Sequence, residues 1–418
     1  MSERYDQLAR ELIEDGILTD PWLDGAPRFA LDPIVLSARR EEALVRAAED
    51  VGALYDELCR VVIDEPELAT TFFCLTPTQR LMWEMSLPMW HGVARVDAFF
   101  TAEGVAITEI NCDTPTGEAE AVVLGARAAA GAAGLVDPSA ALERRFVAMV
   151  ETIARRTLDG ATAAARETVG VVYPTEFTED LSLVRLYKRW MERAGYRVVF
   201  GSPYNLAHEG DATRLFDEPI GVMLRHYKTD WWGERASAWD DDDLPDKEPL
   251  HDALRAVVAG MAEGQLAVIN PFGAVLPQNK RAMAFFWEHL HRFSPRAQTT
   301  IERHVPVTSR LEALHPARLL AEQADWVIKS DYGAEGDEVV VGRAVTAEVF
   351  QKTLVHARPG RWIAQRYFEA EREPDGAAVN HGVYLVAGRA AGHYARSQVG
   401  PTDAAALSVP VLVDRPAS

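Results

Sequence analysis

Two segments in which apolar and polar residues alternate, separated by a short turn, constrain the fold most strongly. They cover residues 93–100 and 105–111, and the segment 102–104 between them contains a glycine that can reverse the chain. A period of two is typical of β-strands, so the pattern predicts a β-hairpin. Residues two apart on a strand point to the same side of the sheet. Four polar residues therefore share one face: Arg95, Asp97, Glu109 and Asn111.

Three of these side chains carry oxygen atoms that could bind a metal ion. Asp97 and Glu109 carry carboxylates, and Asn111 carries an amide. Mg²⁺ prefers such hard oxygen ligands and usually keeps water or substrate phosphates at its other positions. The alternative is a solvent-exposed sheet face whose polar residues bind no ligand. Arg95 on the same face could neutralise an anion beside the metal, or it could simply pair with Asp97.

The remaining patterns predict four regions and an α/β fold with α+β elements. Residues 1–85 have apolar residues at helical spacing and are predicted to be a helical N-terminal region. Residues 86–165 contain the hairpin. Residues 166–275 alternate strand, helix and strand patterns, which is typical of a small doubly wound α/β domain. Residues 276–418 combine helical segments with further strands.

A lysine followed by a glycine-rich turn in the last region is a candidate phosphate site. Lys329 ends an apolar strand pattern, and residues 333–336 form a turn before a second strand pattern at 338–341. Backbone N–H groups in such a turn, together with an ammonium group, can bind phosphates. An ordinary β-hairpin has the same pattern. The lysine is not placed as in the Walker sequence, where it follows the glycines at the start of a helix.

Charge and cysteine content argue against several classes of partner. The chain has 63 acidic and 43 basic side chains, which gives a formal charge of −20. Such a surface repels phosphate backbones and anionic lipids, and no basic patch interrupts it, so we expect no nucleic-acid or membrane partner. Three cysteines without a CxxC pair predict no disulfide framework. The charged first residues do not have the pattern of a signal peptide, and we therefore expect a cytoplasmic protein.

Several short motifs occur in an order that resembles the glutathionylspermidine synthase family. Arg95-Val96-Asp97 and residues 109–116 are similar to its R-x-D and E-x-N-A-D-T-P-T motifs. The resemblance begins near residue 82 and continues to the C-terminus. The later matches keep the family order: Asn270-Pro271, Asn279-Lys280 before a helix, Lys329 with Glu335-Gly336, Gln365, and residues 392–396 ending in Arg396.

This resemblance implies a circularly permuted ATP-grasp ligase, in which the magnesium-binding half precedes the phosphate-binding flap along the chain. Residues 86–165 would be the metal-binding part, residues 166–275 the Rossmann-like pre-ATP-grasp domain, and residues 276–418 the flap and the rest of the ATP-grasp fold. It further implies that ATP phosphorylates a substrate carboxylate and that an amine displaces the phosphate to form an amide. The implied cofactors are ATP and Mg²⁺, and the implied partners are a small-molecule carboxylate and an amine.

The resemblance also implies roles for individual residues at matching positions. Asp97, Glu109 and Asn111 would hold magnesium. Arg95 and Arg396 would be catalytic and would face the acyl phosphate from opposite halves of the fold. The implied nucleotide-binding residues are Lys280 and Lys329 at the phosphates, Glu335 and Gly336 in the flap, and Gln365 at the adenine.

Four positions depart from the family pattern. Ala334 replaces the flap arginine, Asn270 replaces a glutamate, and Cys112 replaces an alanine. Gln365 matches the first residue of the family's Q-E pair, which is called the hinge, and Arg366 replaces its glutamate. Because the flap and hinge changes fall at implied nucleotide contacts, the alternative is a non-catalytic nucleotide-binding or scaffold protein with a degenerate ATP-grasp fold. The resemblance specifies neither the acid and the amine nor an oligomeric state.

Overall fold

A computed structural model of the chain describes residues 3–175, 178, 180–234, 250–333, 338–403 and 405–415. These residues form a mixed α/β fold, as the sequence predicts. Within these ranges, no helix is both long enough and apolar enough to cross a lipid bilayer.

The helices of the described residues are numbered in chain order. They are α1 Glu3–Asp15, α2 Ala38–Asp64, α3 Leu68–Thr71, α4 Pro77–Ser86, α5 Glu118–Ala130, α6 Leu142–Thr157, α7 Ala163–Arg166, α8 Leu181–Arg193, α9 Thr229–Glu234, α10 His251–Ala262, α11 Val275–Gln278, α12 Arg281–Glu288, α13 Pro295–His304, α14 Pro316–Ala321 and α15 Ala347–His356.

The strands are numbered in the same way. They are β1 Trp22–Leu23, β2 Ala26–Pro27, β3 Ile34–Ser37, β4 Val93–Thr101, β5 Gly104–Asn111, β6 Leu135–Val136, β7 Thr168–Val172, β8 Arg197–Gly201, β9 Leu206–Glu209, β10 Ala212–Leu215, β11 Glu218–Pro219, β12 Val222–Arg225, β13 Ala267–Ile269, β14 Thr308–Arg310, β15 Trp326–Ser330, β16 Val339–Val341, β17 Trp362–Arg366, β18 Ala378–Val386, β19 Arg389–Gln398, β20 Leu407–Val409 and β21 Val411–Asp414.

The predicted hairpin is confirmed and forms one side of a five-stranded sheet. β4 and β5 pair antiparallel, with Asp97 opposite Glu109 and Arg95 opposite Asn111. The register shifts after Asp97, which leaves Thr108 as an extra residue in β5. The strand order is β20-β19-β18-β4-β5, so the hairpin is completed by strands from the far end of the chain.

A second, smaller sheet carries the lysine of the candidate phosphate site. Its order is β14-β17-β15-β16, and its neighbouring strands are antiparallel. Lys329 lies on β15 between Val339 and Ile363, and Gln365 on β17 is opposite Val327. Lys329 therefore lies on an inner strand of this sheet rather than at its edge.

The predicted doubly wound domain is also confirmed. β7, β8, β12 and β13 form a parallel sheet in the order β13-β12-β7-β8, and α8 connects β7 to β8. The apolar residues of α8 recur at helical spacing, so they lie on one face of the helix and are buried there. Tyr187 of this face stacks on Phe146 of α6, with ring centroids 4.7 Å apart.

The N-terminal region is helical only in part. α1 and α2 form as predicted, but between them β1 and β2 form a short hairpin, and β3 pairs in parallel with β21. Pro21, Pro27 and Pro33 interrupt this stretch, and proline lacks the N–H group that a helix interior requires. The prediction of a helical N-terminal region overlooked these prolines.

The largest apolar core explains why the hairpin has one polar face. Ile107 and Ile110 of β5 are buried in a cluster with residues of α2 and α12. In the same cluster, Tyr55 of α2 meets Phe286 of α12 edge to face, with ring centroids 5.1 Å apart. Since this side of the hairpin packs on helices, the polar side chains of β5 point to the opposite face.

Asn270, one of the four departures from the family pattern, links the doubly wound domain to the start of β4 and to the residues that follow β5. Its Oδ1 accepts hydrogen bonds from the backbone N–H groups of Gly92 and Val93, at 2.8 and 2.9 Å. Its Nδ2 donates to the carbonyl groups of Val93, Cys112 and Asp113, at 2.7, 2.9 and 3.1 Å. Only an amide can both donate and accept in this way, whereas an ionised carboxylate can only accept.

Asn270→Ala should lower the free energy of unfolding by about 2–4 kcal/mol, because it leaves several buried backbone groups without a partner. Urea unfolding followed by tryptophan fluorescence measures the change. Gln351→Ala on the exposed face of α15 is the matched control and should change stability by less than about 0.5 kcal/mol. Equal unfolding midpoints for the two variants would contradict the role of Asn270.

Candidate active site

A large cavity lies between the five-stranded sheet, the sheet that carries Lys329 and the doubly wound domain. Its volume is about 1610 Å³. Pockets for one small molecule usually measure about 300–1,000 Å³, so this cavity has room for more than one ligand. Six of the predicted site residues line it: Arg95, Glu109, Asn111, Lys329, Gln365 and Arg396.

Asp97 is buried behind the cavity wall, where two arginines contact it. Arg95 Nε donates to Asp97 Oδ1 at 2.6 Å and Arg95 Nη2 donates to Asp97 Oδ2 at 3.0 Å, which makes a bidentate pair. Arg396 Nη2 approaches Asp97 Oδ2 at 3.5 Å, although the two residues are 299 positions apart in the sequence. The structure therefore brings together the two arginines for which the resemblance implies a catalytic role.

Gly382 makes the space that the Arg95 side chain occupies. It lies opposite Asp97 on β18, and a Cβ atom at this position would be 2.7 Å from Arg95 Cδ. Arg95 Nη1 also donates to the carbonyl of Thr116 at 2.8 Å, and the hydroxyl of Tyr384 donates to the same carbonyl at 2.8 Å. The guanidinium is thus held between its own sheet and the turn after β5.

Glu109 lies among cationic side chains. Lys280 Nζ is 3.4 Å from Glu109 Oε2. Burial raises the pKa of Glu109, but the charges of Lys280, Lys329 and Arg95 outweigh this effect and lower the pKa to about 2. Burial lowers the pKa of Lys329 to about 8, against the opposing effect of Glu109. At neutral pH the carboxylate is therefore ionised and Lys329 is mostly protonated.

Gln365 holds Lys329 in place. Its Oε1 accepts a hydrogen bond from Lys329 Nζ at 2.8 Å, and its Nε2 donates to Thr308 Oγ1 at 3.1 Å. Both polar ends of the amide thus have protein partners, so the side chain orients the ammonium group. Gln365 also lines the cavity, where the resemblance implies a contact with adenine.

Lys280 connects Glu109 to the base of the predicted flap. Its Nζ donates to the carbonyl of Gly333 at 2.5 Å, and its backbone N–H donates to the carbonyl of Asp331 at 2.9 Å. The flap residues Glu335 and Gly336, which the resemblance places at the nucleotide, lie outside the described residues, as does Ala334.

The oxygen donors predicted for magnesium lie on one face of the hairpin, where Glu109 and Asn111 line the cavity and Asp97 is buried behind its wall. Asp97 and Glu109 are opposite one another, and Asn111 Nδ2 is 3.4 Å from Glu109 Oε1. No group of three or more His, Cys, Asp or Glu side chains that could hold a metal occurs among the described residues. The set therefore depends on the amide oxygen of Asn111 and leaves other coordination positions to phosphates and water.

Several polar residues of the cavity were missed by the sequence analysis. His226 and Asp180 line it from the doubly wound domain, and Asp20 and Arg28 line it from the N-terminal region. His226 directly follows β12, and the carboxyl ends of parallel strands are where such domains bind ligands, so this rule could have identified it. Asp20 precedes β1 and Arg28 follows β2, and these irregular segments carry no such signal.

Glu118 is a buried carboxyl group beside the cavity. Gly117 precedes it with φ 91°, a left-handed conformation that glycine adopts without strain, and this turn starts α5 at Glu118. The hydroxyl of Tyr187 donates to Glu118 Oε1 at 3.4 Å, whereas Oε2 has no hydrogen-bond partner among the described residues. Burial raises the pKa of Glu118 to about 7.

Arg366, the departure at the implied hinge, is tied to the outer side of its sheet. Its Nη2 is 2.7 Å from Glu322 Oε2, and its guanidinium lies 4.0 Å from the centre of the Trp326 ring. The charge of Arg366 is thus compensated by protein groups, while part of the residue still lines the cavity.

A family model described as glutathionylspermidine synthase pre-ATP-grasp matches residues 31–414. The chain belongs to the glutathionylspermidine synthase family. The match includes the hairpin, the doubly wound domain and the sheet of Lys329, and the fold is the circularly permuted ATP-grasp that the resemblance implies. The cavity residues Asp20 and Arg28 precede the part that matches the glutathionylspermidine synthase family. None of the curated proteins searched matches the chain.

Solved structures are similar to this chain at low sequence identity. A glutathione synthetase-like effector from Globodera pallida, in its apo form, superposes with a TM-score of 0.62 at 11% identity and covers 98% of this chain and 96% of that one. A protein assigned as a gamma-glutamylcysteine synthetase, from Methylobacillus flagellatus, gives a TM-score of 0.45 at 13% identity over 91% of this chain and 88% of that one. The first likeness shows a common fold for nearly the whole of both chains.

Glu118→Gln should stabilise the protein more at about pH 8 than at about pH 5, by roughly 2–3 kcal/mol. Because the pKa of Glu118 is raised to about 7, the folded state retains a proton that the unfolded chain releases near pH 4.5. Wild-type stability therefore falls as the pH rises through this window, and glutamine removes that loss.

Chemical unfolding of both proteins at the two pH values measures this difference. Glu14→Gln on the exposed side of α1 is the control and should have the same small effect at both pH values. If Glu118→Gln also has equal effects at the two pH values, Glu118 does not carry a raised pKa.

Proposed function

We propose that this protein is an ATP-dependent ligase that joins a small-molecule carboxylate to an amine through an acyl phosphate. The observation that carries this proposal is the convergence of four cationic side chains on two carboxylates in and behind the wall of one cavity. Arg95 and Arg396 contact Asp97, while Lys280 and Lys329 surround Glu109. Membership of the glutathionylspermidine synthase family supports the same reaction class.

The lysine end of the cavity suits the phosphates of ATP. Lys329 is held by Gln365 and Lys280 by the carbonyl of Gly333, so both ammonium groups have fixed positions before any ligand arrives. Fixed cations stabilise the charge of a transferring phosphoryl group without reorganisation at the moment of reaction. In the proposed complex, the negatively charged phosphates would interact with Lys280 and Lys329, which interact with the Glu109 carboxylate when no nucleotide is bound.

Magnesium would be held by Asp97, Glu109 and Asn111. When bound, this ion neutralises charge on the phosphate oxygens during phosphoryl transfer. Because the pKa of Glu109 is lowered to about 2, its carboxylate is ionised and available as a ligand throughout the neutral range.

The arginine end of the cavity suits the acyl phosphate. Arg95 and Arg396 would neutralise the negative charge on the substrate while the carboxylate is phosphorylated and while phosphate leaves. Asp97 restrains both guanidinium groups, and Gly382 and Thr116 restrain Arg95 further. Because these contacts already fix the guanidinium groups, the arginines would stabilise charge in the transition state without first being ordered.

A nucleotide-binding protein without turnover is the second candidate. The contacts of Arg366 favour this candidate. Arg366 replaces the glutamate of the family's hinge, and its side chain contacts Glu322 and Trp326. This candidate predicts that ATP binds and that no carboxylate is activated.

Trapping with hydroxylamine separates the two candidates without knowledge of the natural amine. The protein is incubated with ATP, Mg²⁺, hydroxylamine and a panel of carboxylates that includes glutathione, glutamate and other amino acids. A ligase should form a hydroxamate together with an equal amount of ADP, and only with certain carboxylates. Stabilisation by ATP without hydroxamate from any carboxylate would favour the binding protein.

Glu109→Gln should reduce the thermal stabilisation by ATP and Mg²⁺, because the substitution removes a charged metal ligand. A tenfold loss of affinity would remove about 1.4 kcal/mol of ligand-induced stabilisation at saturating ligand. Glu103→Gln in the exposed turn of the same hairpin is the control and should respond like the wild type. An unchanged response of Glu109→Gln would show that the metal assignment is wrong.

Arg396→Ala should lower carboxylate-dependent ADP formation by roughly 100-fold while it preserves most of the ATP binding, because the arginine acts mainly on the acyl phosphate. Steady-state kinetics and nucleotide binding are measured on the same preparation. Arg389→Ala is the control, since this exposed arginine lies on the same strand and pairs with Glu49 at the surface. Normal turnover of Arg396→Ala, or a loss fully explained by weaker ATP binding, would remove Arg396 from the catalytic set.

A further inference from the structure

His226 and Asp180 form a polar pair in the wall of the cavity. His226 follows β12 and is only 5% exposed, while Asp180 immediately precedes α8. His226 Nε2 lies 3.0 Å from Asp180 Oδ1, and both residues line the cavity. Because Nε2 donates to the carboxylate, Nδ1 is the ring nitrogen that can accept a proton in the neutral imidazole.

The pair lies beside the segment that holds the catalytic arginine. A small second cavity is lined both by His226 and by Thr114 and Pro115. The next residue of this segment, Thr116, supplies the carbonyl that binds Arg95. His226 is therefore adjacent to the part of the large cavity in which the acyl phosphate would form.

The carboxyl groups around His226 make its imidazole a stronger base. Burial lowers the pKa of His226, but the facing carboxyl groups of Asp180 and Glu118 raise it by more, and Arg225 on the same segment opposes them. The net direction is upward. Tyr187 of α8 contacts Glu118, and Ser182 of the same helix lines the cavity.

The proposed reaction needs a proton acceptor that the residues assigned so far do not supply. An alkylamine is largely a protonated ammonium at neutral pH, and only the free amine has the lone pair that attacks a carbonyl carbon. Arg95, Arg396, Lys280 and Lys329 are cations. Asp97 is engaged by arginines, and Glu109 is held ionised by lysines.

We propose that His226, oriented by Asp180, is the base that deprotonates the incoming amine of the ligase reaction proposed above. The ammonium gives a proton to His226 Nδ1, and the nitrogen lone pair forms a bond to the acyl carbon. The bond between that carbon and the phosphate oxygen breaks, and phosphate leaves with its electron pair. The nitrogen loses its second proton to the departing phosphate as the amide forms, and the imidazolium later returns its own proton to solvent. Asp180 is a positioning residue, because it acts through the imidazole.

His226→Gln tests the role with two nucleophiles that differ in their need for a base. The carboxylate found by hydroxylamine trapping is used throughout, with hydroxylamine and with the alkylamine that reacts fastest in the same assay. Hydroxylamine is already unprotonated at neutral pH and should react with the variant at a rate close to that of the wild type. The reaction with the alkylamine should fall by roughly 100-fold, because general-base assistance is lost.

Asp180→Asn provides a second test that a purely structural role would not satisfy. It removes the carboxylate that raises the pKa of His226, so the rising limb of the pH–rate profile with the alkylamine should move to lower pH. His226→Gln should abolish that limb. His356→Gln on the exposed side of α15 is the matched control and should keep the wild-type profile.

The outcomes separate this inference from the proposed function. A wild-type protein that forms no hydroxamate with any carboxylate contradicts the ligase itself. If the wild type forms hydroxamate but His226→Gln loses the same factor with both nucleophiles, His226 is structural and the inference is wrong. A wild type that accepts hydroxylamine but no alkylamine also overturns the inference, since no protonated amine would then be a substrate.

Discussion

The buried carboxylate of Asp97 is the interaction on which the geometry of the site depends. An ionised group removed from water costs several kcal/mol unless charged partners compensate it, and here the partners are Arg95 on the same strand and Arg396 two strands away. The strand between them must therefore keep its register, and it must have no side chain at Gly382, where Arg95 passes. One charge thus fixes β4 against the β18–β19 pair, which is distant from it in the sequence.

A comparable arrangement joins the doubly wound domain to the hairpin. Asp113 accepts hydrogen bonds from Arg225 and from the backbone N–H and hydroxyl groups of Thr229. Asn270 forms further hydrogen bonds with Gly92 before β4 and with Cys112 after β5. Because these groups are buried, separating the domain from the hairpin would leave them without partners. The proton-accepting end and the cation-rich end of the cavity are therefore held at a constant separation.

The local periodicity of apolar residues predicted the helices and strands. The order of the motifs along the chain predicted which of them contact one another in the fold. The alternation around Asp97 and Glu109 indicated the hairpin, and the helical spacing in α8 indicated the strand–helix–strand unit. Neither could predict that Gln365 binds Lys329 or that Asp180 binds His226, because pairs between distant segments have no period in the sequence. The strand β3 was missed for a related reason, since its partner β21 lies at the other end of the chain.

The completion of the five-stranded sheet by β18 and β19 has a consequence for synthesis on the ribosome. The hairpin that carries Asp97 emerges long before its neighbours in the sheet, β18 and β19. Until then, β4 presents an unpaired edge and Asp97 lacks Arg396, and such edges are prone to pair with other chains. Formation of the candidate site therefore waits for β18 and β19, and a ribosome that stalls before these strands leaves the edge of β4 exposed.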